Sequence, residues 1–196
     1  MNNIVLDDLK TEYLGRRISY FEQIDSTQSE IWRRINNNNI ENGTIIIANI
    51  QTSAKGTHGR IWYTDEKDNI AFSIYVKINS KIQNFDDITV QIAKIIVDVF
   101  KSKYNICVEI KHPNDLMIKD KKIGGILTES KIKQEIIKYL VVGIGINTNK
   151  MKFTKDILNI ATSVKKEYGI NVNKFEIISE FCNRFEDILN ERINKI

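Results

Sequence analysis

The chain has 196 residues, of which 42% are hydrophobic and 28% are charged, as is usual for one globular domain. Its net charge of +4 is dispersed, whereas nucleic-acid-binding domains usually carry a basic stripe or a recognisable module. No apolar run is long enough to cross a bilayer, and the N-terminus has acidic residues in place of a secretory signal. We therefore expect a cytoplasmic protein without a DNA or membrane partner.

The first predicted elements are a helix and a buried strand. Thr27 and Glu30 have the spacing of a capping box, and apolar residues follow at helical intervals, so a helix is expected to begin near Ser26. The polar run at 36–39 favours a loop. Residues 44–50 form a continuous apolar, β-branched run that is typical of a buried strand.

The remaining elements alternate in type. Residues 69–78 alternate apolar with polar side chains, which predicts a strand, and residues 86–104 have the apolar face of an amphipathic helix. Four further β-runs are predicted at 106–110, 116–118, 123–130 and 138–147, and the chain after residue 149 is interpreted as helical, most clearly at 174–196. Strands joined by tight turns thus lie between helices, which predicts an α+β fold with a mixed, largely antiparallel sheet flanked by helices.

A basic, glycine-bearing segment, QTSAKGTHGRIW at 51–62, directly follows the strand at 44–50. Gly56 and Gly59 lie among Lys55, His58 and Arg60, so main-chain N–H groups and cations could converge on one anion. The Gly-Lys-Ser/Thr of a Walker A loop is absent. Taken alone, this composition favours a solvated basic loop.

The segment KHPNDLMIKDKKIGG at 111–125 combines a turn with a strand. Asn114 and Asp115 follow the only proline, residues 119–121 resemble a hairpin tip, and Lys122 enters a strand beside paired glycines. Lys122 could therefore reach a bound phosphate or carboxylate. For Lys119 and Lys121, an ordinary charged hairpin remains the alternative interpretation.

The segment VVGIGINTN at 141–149 contains Gly143 and Gly145 but lacks the third glycine and the following helix of a dinucleotide fingerprint. Its glycines would let a ligand or a neighbouring strand approach closely, and Asn147 could bind a base or a ribose. The alternative is a core strand thinned by glycine. No Ser-His-Asp order, HExxH motif or carboxylate cluster supports a hydrolase or a metalloenzyme.

In this order, the segments resemble the catalytic domain of biotin–protein ligases. That family has a Ser-Thr-Asn helix start, a Gln followed by a Gly-Arg-Gly-Arg-x-Gly-Arg loop, a Lys-Trp-Pro-Asn-Asp turn, and Lys-x-x-Gly-Ile-Leu and Gly-x-Gly-Ile-Asn strands. The matching segments here span about residues 18 to 150: Ser26-Thr27-Gln28, Gln51 with 54–60, Lys111-His112-Pro113-Asn114-Asp115, 122–127 and 143–147.

The resemblance implies the class II synthetase-like fold of biotin and lipoate ligases, and an ATP-dependent enzyme. Such a ligase forms biotinyl-5′-AMP from biotin and ATP with Mg²⁺, and passes biotin to one lysine of a biotin carboxyl carrier domain of a carboxylase. Biotin and ATP are then substrates, and no tightly bound prosthetic group is expected. Family members can dimerise through sheet edges near the basic loop, so a homodimer is compatible with the resemblance.

The resemblance also implies site residues. Arg60 and Lys122 would be the catalytic cations that hold the phosphate and the biotin carboxylate, and Asp115 is the candidate Mg²⁺ contact. The residues that would bind biotin are Ser26, Thr27, Gln28, Gln51, Lys55, Gly56, Thr57, Lys122 and Gly125. Those on the nucleotide side would be Arg60, Trp62, Asn114, Asp115 and Asn147.

Three departures from the family pattern bear on this assignment. Thr57 replaces an arginine that helps to retain the adenylate, and we hypothesise that Lys55 or His58 partly compensates for it. His112 replaces the usual tryptophan and Gln28 the usual asparagine, so local packing and contacts to the ureido group are expected to differ.

Domain organisation and two alternatives complete the sequence-based expectations. We expect a single catalytic domain over 1–196, without an N-terminal helix-turn-helix domain and without the small C-terminal β-domain common in these ligases. One alternative is a lipoate or octanoate ligase of the same fold, although such enzymes lack the basic glycine-bearing loop. The other is a non-catalytic biotin sensor or carrier-binding module.

Overall fold

A computed structural model describes residues 6–60, 62 and 69–193. Its elements follow in chain order: β1 (Arg17–Ile24), α1 (Thr27–Asn36), β2 (Thr44–Gln51), β3 (Ile70–Lys81), α2 (Ile88–Tyr104), β4 (Glu109–Lys111), β5 (Asp115–Ile118), β6 (Lys121–Lys133), β7 (Ile136–Ile146), α3 (Val164–Tyr168) and α4 (Lys174–Ile193). Short 3₁₀ turns occur at Thr57–Gly59 and Ile82–Phe85.

The strands form one sheet in the order β1-β2-β3-β7-β6-β5-β4. β1 and β2 run parallel, and every other neighbouring pair among the described strands is antiparallel. The predicted fold class, a mixed and largely antiparallel sheet with helices, is therefore confirmed. In the described part of the chain, no helix combines the length and the apolar character that crossing a membrane requires.

One face of the sheet packs against α2 and α4 and forms the main core. Ile92, Ile96 and Phe100 on α2 are at most 1% exposed, as are Phe181 and Phe185 on α4. The helical spacing of these residues places them all on the buried side. Each such side chain stabilises the fold by about 1.5–3 kcal/mol relative to its exposure to water.

The opposite face is only partly covered by α1. Ile31 of α1 packs on Ile46, Tyr75 and Val141 in a small second cluster. Beyond the N-terminal end of α1, the same face carries Gly143, Gly145 and Gly125, which contribute no side-chain bulk. The Gln28 side chain of α1 covers Gly143, and the rest of this face has room for a cavity on the sheet.

The start of α1 differs by one residue from the predicted capping box. Ser26, and not Thr27, is the N-cap, because its side chain accepts a hydrogen bond from the main-chain N–H of Ser29. Glu30 therefore lies one position too late to complete the box, and its carboxylate instead binds Arg33 and Arg34. The shift frees the Thr27 hydroxyl to face the sheet.

Arg33 also fixes the residue that precedes the cap. Its guanidinium donates to both carboxylate oxygens of Asp25, each at 2.7 Å. These hydrogen bonds are the main reason that the pKa of Asp25 is lowered to about 2. The junction between β1 and α1 is thus held by a charged pair next to the cap.

Three further differences from the predicted elements have simple causes. β1 was not predicted, since as an edge strand it has no continuously buried face. The strand expected at 106–110 is reduced to Glu109–Lys111, because Ile106 is buried without ladder pairing. The helical interpretation of the chain after residue 149 is wrong for 150–163, which forms loops and turns before the short helix α3, and for 169–173, which connects α3 to α4.

A buried carboxylate ties the N-terminal segment to α4. Glu186, 4% exposed, accepts hydrogen bonds from the main-chain N–H groups of Glu12, of Tyr13 at 3.1 Å and of Leu14 at 2.8 Å. Burial, with the nearby Glu186 charge, raises the pKa of Tyr13 to about 12. This carboxylate fixes the segment that leads into β1.

Candidate functional site

A cavity of about 480 Å³ lies on the glycine-bearing face of the sheet, beyond the N-terminal end of α1. The structure brings every predicted site residue to its wall. These residues are Ser26, Thr27, Gln28, Gln51, Lys55, Gly56, Thr57, Arg60, Trp62, Asn114, Asp115, Lys122, Gly125 and Asn147. Segments that are up to 121 positions apart in the chain, from Ser26 to Asn147, therefore converge on one site.

The buried end of the cavity is polar and uncharged. Four residues form it: Thr27, Gln28, Gln51 and Ser73. Gln51 ends β2 and accepts, through Oε1, hydrogen bonds from the Thr27 main-chain N–H at 2.8 Å and from its hydroxyl at 3.1 Å. The Thr27 and Ser73 hydroxyls are 2.8 Å apart. Thr27, Gln28 and Ser73 are all at most 7% exposed. Such an end suits a neutral head group that both donates and accepts hydrogen bonds.

The other end of the cavity is exposed and cationic. Lys55, Arg60 and Lys111 contribute three exposed cations to the cavity wall, against one exposed carboxylate, that of Asp120. Their charges would attract an anion from solvent. A ligand with a neutral polar head and an anionic tail matches the two ends of this cavity.

The basic loop is closed by its own main chain. The Gly56 N–H donates to the Arg60 carbonyl at 2.7 Å, and Gly59 has the positive φ of 72° that the tight turn requires. The Arg60 guanidinium makes two long contacts of 3.3 Å to Thr57, one with its carbonyl and one with its hydroxyl. The His58 side chain lies outside the described residues, so its hypothesised compensation for Thr57 stays a prediction.

Lys122 and Asp115 form an ion pair in the wall between the two ends. The Lys122 Nζ is 2.6 Å from Asp115 Oδ1, and the two side chains are 32% and 21% exposed. The ammonium also lies 5.7 Å from the centre of a Trp62 ring. Asp115 thus holds a cation in position inside the cavity, where partial burial strengthens its field.

Two asparagines predicted on the nucleotide side are anchored to main-chain carbonyls. The Asn114 amide donates to the Ile126 carbonyl at 3.1 Å, and the Asn147 amide donates to the Thr162 carbonyl at 3.3 Å. Asn147 is 7% exposed. These hydrogen bonds hold both side chains in place in the cavity wall.

The glycines of β7 make room for side chains of the site itself. A Cβ atom at Gly145 would lie 2.5 Å from Nε1 of Trp62, and one at Gly143 would lie 2.7 Å from Oε1 of Gln28. Both distances are too short for real contacts. The expected close approach at these glycines therefore occurs, but to Trp62 and Gln28.

Part of the wall was missed by the sequence-based prediction. Ile157, Asn159, Ile160 and Ala161 line the cavity from the loop that was interpreted as helical. The Lys122 main chain fixes this loop, because its N–H donates to Ile160 and its carbonyl accepts from Thr162. Ser73 was also missed, although a serine in an otherwise apolar buried strand is a usable signal.

No group of three or more His, Cys, Asp or Glu side chains suited to a metal ion occurs within the part of the chain that the structure describes. Asp115, the predicted Mg²⁺ contact, is instead paired with Lys122. A Mg²⁺ ion bound by Asp115 would therefore share this carboxylate with the ammonium of Lys122.

Comparison with known proteins gives consistent results. A model of the Biotin/lipoate A/B protein ligase family matches residues 20–147. The chain is 32% identical over 180 residues to the bifunctional ligase/repressor BirA of Bacillus spizizenii, a match that covers 91% of the chain but only 55% of that relative.

Two solved structures share the fold. The biotin protein ligase of Aquifex aeolicus in complex with biotin and ATP has a TM-score of 0.77 at 23% identity, over 92% of this chain and 73% of that one. The enzyme of Leishmania major in complex with biotinyl-5-AMP has a TM-score of 0.68 at 23% identity, over 90% and 76% of the two chains.

Proposed function

Because this chain belongs to the Biotin/lipoate A/B protein ligase family, we propose that it is an ATP-dependent biotin–protein ligase. It joins biotin to ATP as biotinyl-5′-AMP and transfers biotin to one lysine of a biotin carboxyl carrier domain. The observation that carries the proposal is the cavity with a neutral polar buried end, a cationic exposed end and Lys122 between them. The cytoplasm, where ATP is available, is the proposed compartment.

The buried end favours biotin over lipoate. Thr27, Gln28, Gln51 and Ser73 offer hydrogen-bonding groups to the ureido ring of biotin, with help from the main chain at 55–57. The dithiolane ring of lipoate has no N–H or C=O group, so it would leave these buried polar groups without partners, at a cost in free energy. A ligand with a ureido head is therefore the better match.

The first half-reaction brings two anions together. A biotin carboxylate oxygen attacks the α-phosphorus of ATP, the new P–O bond forms, and pyrophosphate leaves. Lys122 and Arg60 offset the repulsion between carboxylate and phosphate, and Asp115 holds the Lys122 ammonium in place. Asp115 would be the protein contact of the Mg²⁺ bound to ATP, and this ion would offset the charge of the phosphates.

In the second half-reaction, the uncharged amine of the carrier lysine attacks the carbonyl carbon of the adenylate. The amide bond forms, AMP leaves, and the amine loses its proton. Gly125 borders the aliphatic tail of biotin in this arrangement, while Trp62, Asn114 and Asn147 lie on the side of the nucleotide.

The decisive experiment is to incubate the protein with ATP, Mg²⁺, biotin and a purified carrier domain, and to follow the mass of the carrier. A shift equal to one biotin per carrier, dependent on ATP, supports the ligase. Equal transfer of lipoate would support the lipoate alternative. Biotin binding without any transfer would support a non-catalytic sensor.

Thr57→Arg is expected to slow release of biotinyl-5′-AMP, because a second cation beside Arg60 would hold the phosphate. One charged hydrogen bond corresponds to about a 10-fold slower off-rate. The rate can be measured by chasing preformed adenylate with excess unlabelled ligand. Thr52→Arg, an exposed position nearby, is the matched control and should not change it. An unchanged off-rate in Thr57→Arg would contradict the assignment of this position.

Gly145→Ala is expected to weaken ATP binding, because its Cβ would displace the Trp62 indole. Loss of one aromatic stacking contact lowers affinity for a base by about 10-fold. Titration calorimetry with ATP measures the effect. In a Trp62→Ala background, the same glycine substitution should cost little, and a full loss in that background would show that Gly145 acts through something other than Trp62.

A further inference from the structure

The side-chain amide of Gln28 is held in one orientation. Its Nε2 donates to Glu129 Oε2 at 2.8 Å and to the Val141 carbonyl at 3.3 Å. Glu129 and Val141 are directly opposite each other on β6 and β7. A flipped amide would set its oxygen against the carboxylate, acceptor against acceptor, so the Glu129 charge fixes which end of the amide faces the cavity.

The end that faces the cavity is an acceptor. Gln28 Oε1 is buried and accepts no hydrogen bond from the described residues. It lies over Gly143, at 2.7 Å from the position that a Cβ there would occupy. Because a buried carbonyl oxygen without a donor is costly, this atom is suited to an N–H group of a ligand.

Ser73 provides a second acceptor next to it. Thr27 has one hydroxyl proton, and Gln51 Oε1 takes it. Of the two hydroxyls 2.8 Å apart, Ser73 must therefore be the donor and Thr27 the acceptor. Ser73 Oγ keeps its lone pairs, and it lies 3.4 Å from the same Cβ position on Gly143. Two acceptors thus meet at the buried end.

We propose that Glu129 is a positioning residue that sets the selectivity of the buried end for head groups with N–H donors. Glu129 lies outside the cavity wall formed by the described residues, and it acts through Gln28. It presents the Gln28 oxygen, beside Ser73 Oγ, to the two N–H groups of a ureido ring. This inference rests on the proposed function and adds the residue that enforces its ligand preference.

The test compares biotin with its two mono-N-methyl derivatives, in which one ureido N–H is replaced by N–CH₃. Titration calorimetry on the full chain gives each Kd. In Glu129→Leu, biotin should bind about 10-fold more weakly, as expected for the loss of one oriented hydrogen bond. Its preference for biotin over the derivatives should shrink. Glu129→Gln, whose side-chain oxygen can still accept a hydrogen bond from Gln28, should retain the affinity for biotin and the preference for biotin over the derivatives.

Two further variants separate positioning from a general structural role. In a Gln28→Leu background, Glu129→Leu should have no additional effect on Kd. The amide that Glu129 orients is then already absent. Trp32→Phe removes the other donor to Glu129 Oε2, at 2.7 Å, and should leave the Kd for biotin within about 2-fold. Glu129→Thr, with a β-branched side chain suited to a strand, replaces Glu129→Leu if the latter does not fold.

The outcomes distinguish this inference from the proposed function. If the wild-type chain binds biotin and Glu129→Leu binds it equally well with the same preference over the N-methyl derivatives, the positioning role is overturned and the ligase proposal stands. Additive effects of Gln28→Leu and Glu129→Leu would also overturn it. If the wild-type chain does not bind biotin, the proposed function and this inference both fail.

Discussion

Lys122→Ala is expected to reduce kcat/KM for biotinyl-5′-AMP formation by about 100- to 1000-fold, the usual effect of removing one preorganised charge from a transition state. Lys122 is the cation between the neutral and the cationic ends of the cavity, and Asp115 fixes its position at 2.6 Å. Without it, the carboxylate and the α-phosphate would repel each other and the Asp115 charge would be left uncompensated. Pyrophosphate release measures the rate.

Lys121→Ala is the matched control, because it removes a neighbouring lysine of the same strand that does not line the described cavity. It should retain the activity of the wild-type chain within about 2-fold. Near-normal adenylate formation by Lys122→Ala would contradict the assigned role. Loss of carrier transfer alone would place Lys122 in the second half-reaction.

Glu186→Leu is expected to lower the free energy of unfolding by about 2–4 kcal/mol, since the buried N–H of Leu14 and the half-buried N–H of Tyr13 would lose a charged acceptor. The carboxylate accepts from three consecutive main-chain donors, at Glu12, Tyr13 and Leu14. Leu14 is buried and Tyr13 is half-buried, so these two donors have little access to replacement water, whereas the exposed Glu12 can be hydrated. Urea denaturation gives the change from the midpoint and slope.

Glu191→Leu is the control for this substitution. Glu191 lies one and a half turns further along α4 and is exposed, so its replacement should change stability by no more than about 0.5 kcal/mol. If the two leucine variants were equally stable, the anchoring of the N-terminal segment by Glu186 would be wrong.

The order of the motifs was sufficient to predict which segments line the cavity, although each segment taken alone was also compatible with an ordinary loop, hairpin or core strand. Lys122 lies just before paired glycines, which suggested that it could reach an anion, and the family resemblance added Gln51 at the end of an apolar run. Helical periodicity likewise identified α2 and α4, whose apolar faces pack on the sheet. These patterns involve residues that are close in the sequence. They predict an element correctly when contacts with distant parts of the chain do not change its structure.

Partnerships across the sheet could not be predicted in the same way. Glu129 meets Gln28 only because β6 and β7 pair in the observed register and α1 lies above them. A shift of β6 by one residue would turn Glu129 to the other face of the sheet. Similarly, the loop at 157–161 lines the cavity because its main chain is hydrogen-bonded to the main chain of Lys122. Such a contact does not depend on side-chain periodicity, so the sequence pattern could not predict it.

The position of Trp62 has a practical consequence. The chain contains two tryptophans, and the ammonium of Lys122 lies 5.7 Å from a ring of this one. Indole emission responds to the charges around the ring, and a ligand anion that engages Lys122 would alter them. With Trp32 replaced by phenylalanine, the tryptophan emission, excited at a wavelength that the seven tyrosines do not absorb, would come from Trp62 alone and would report occupancy of the cavity in real time, without a label.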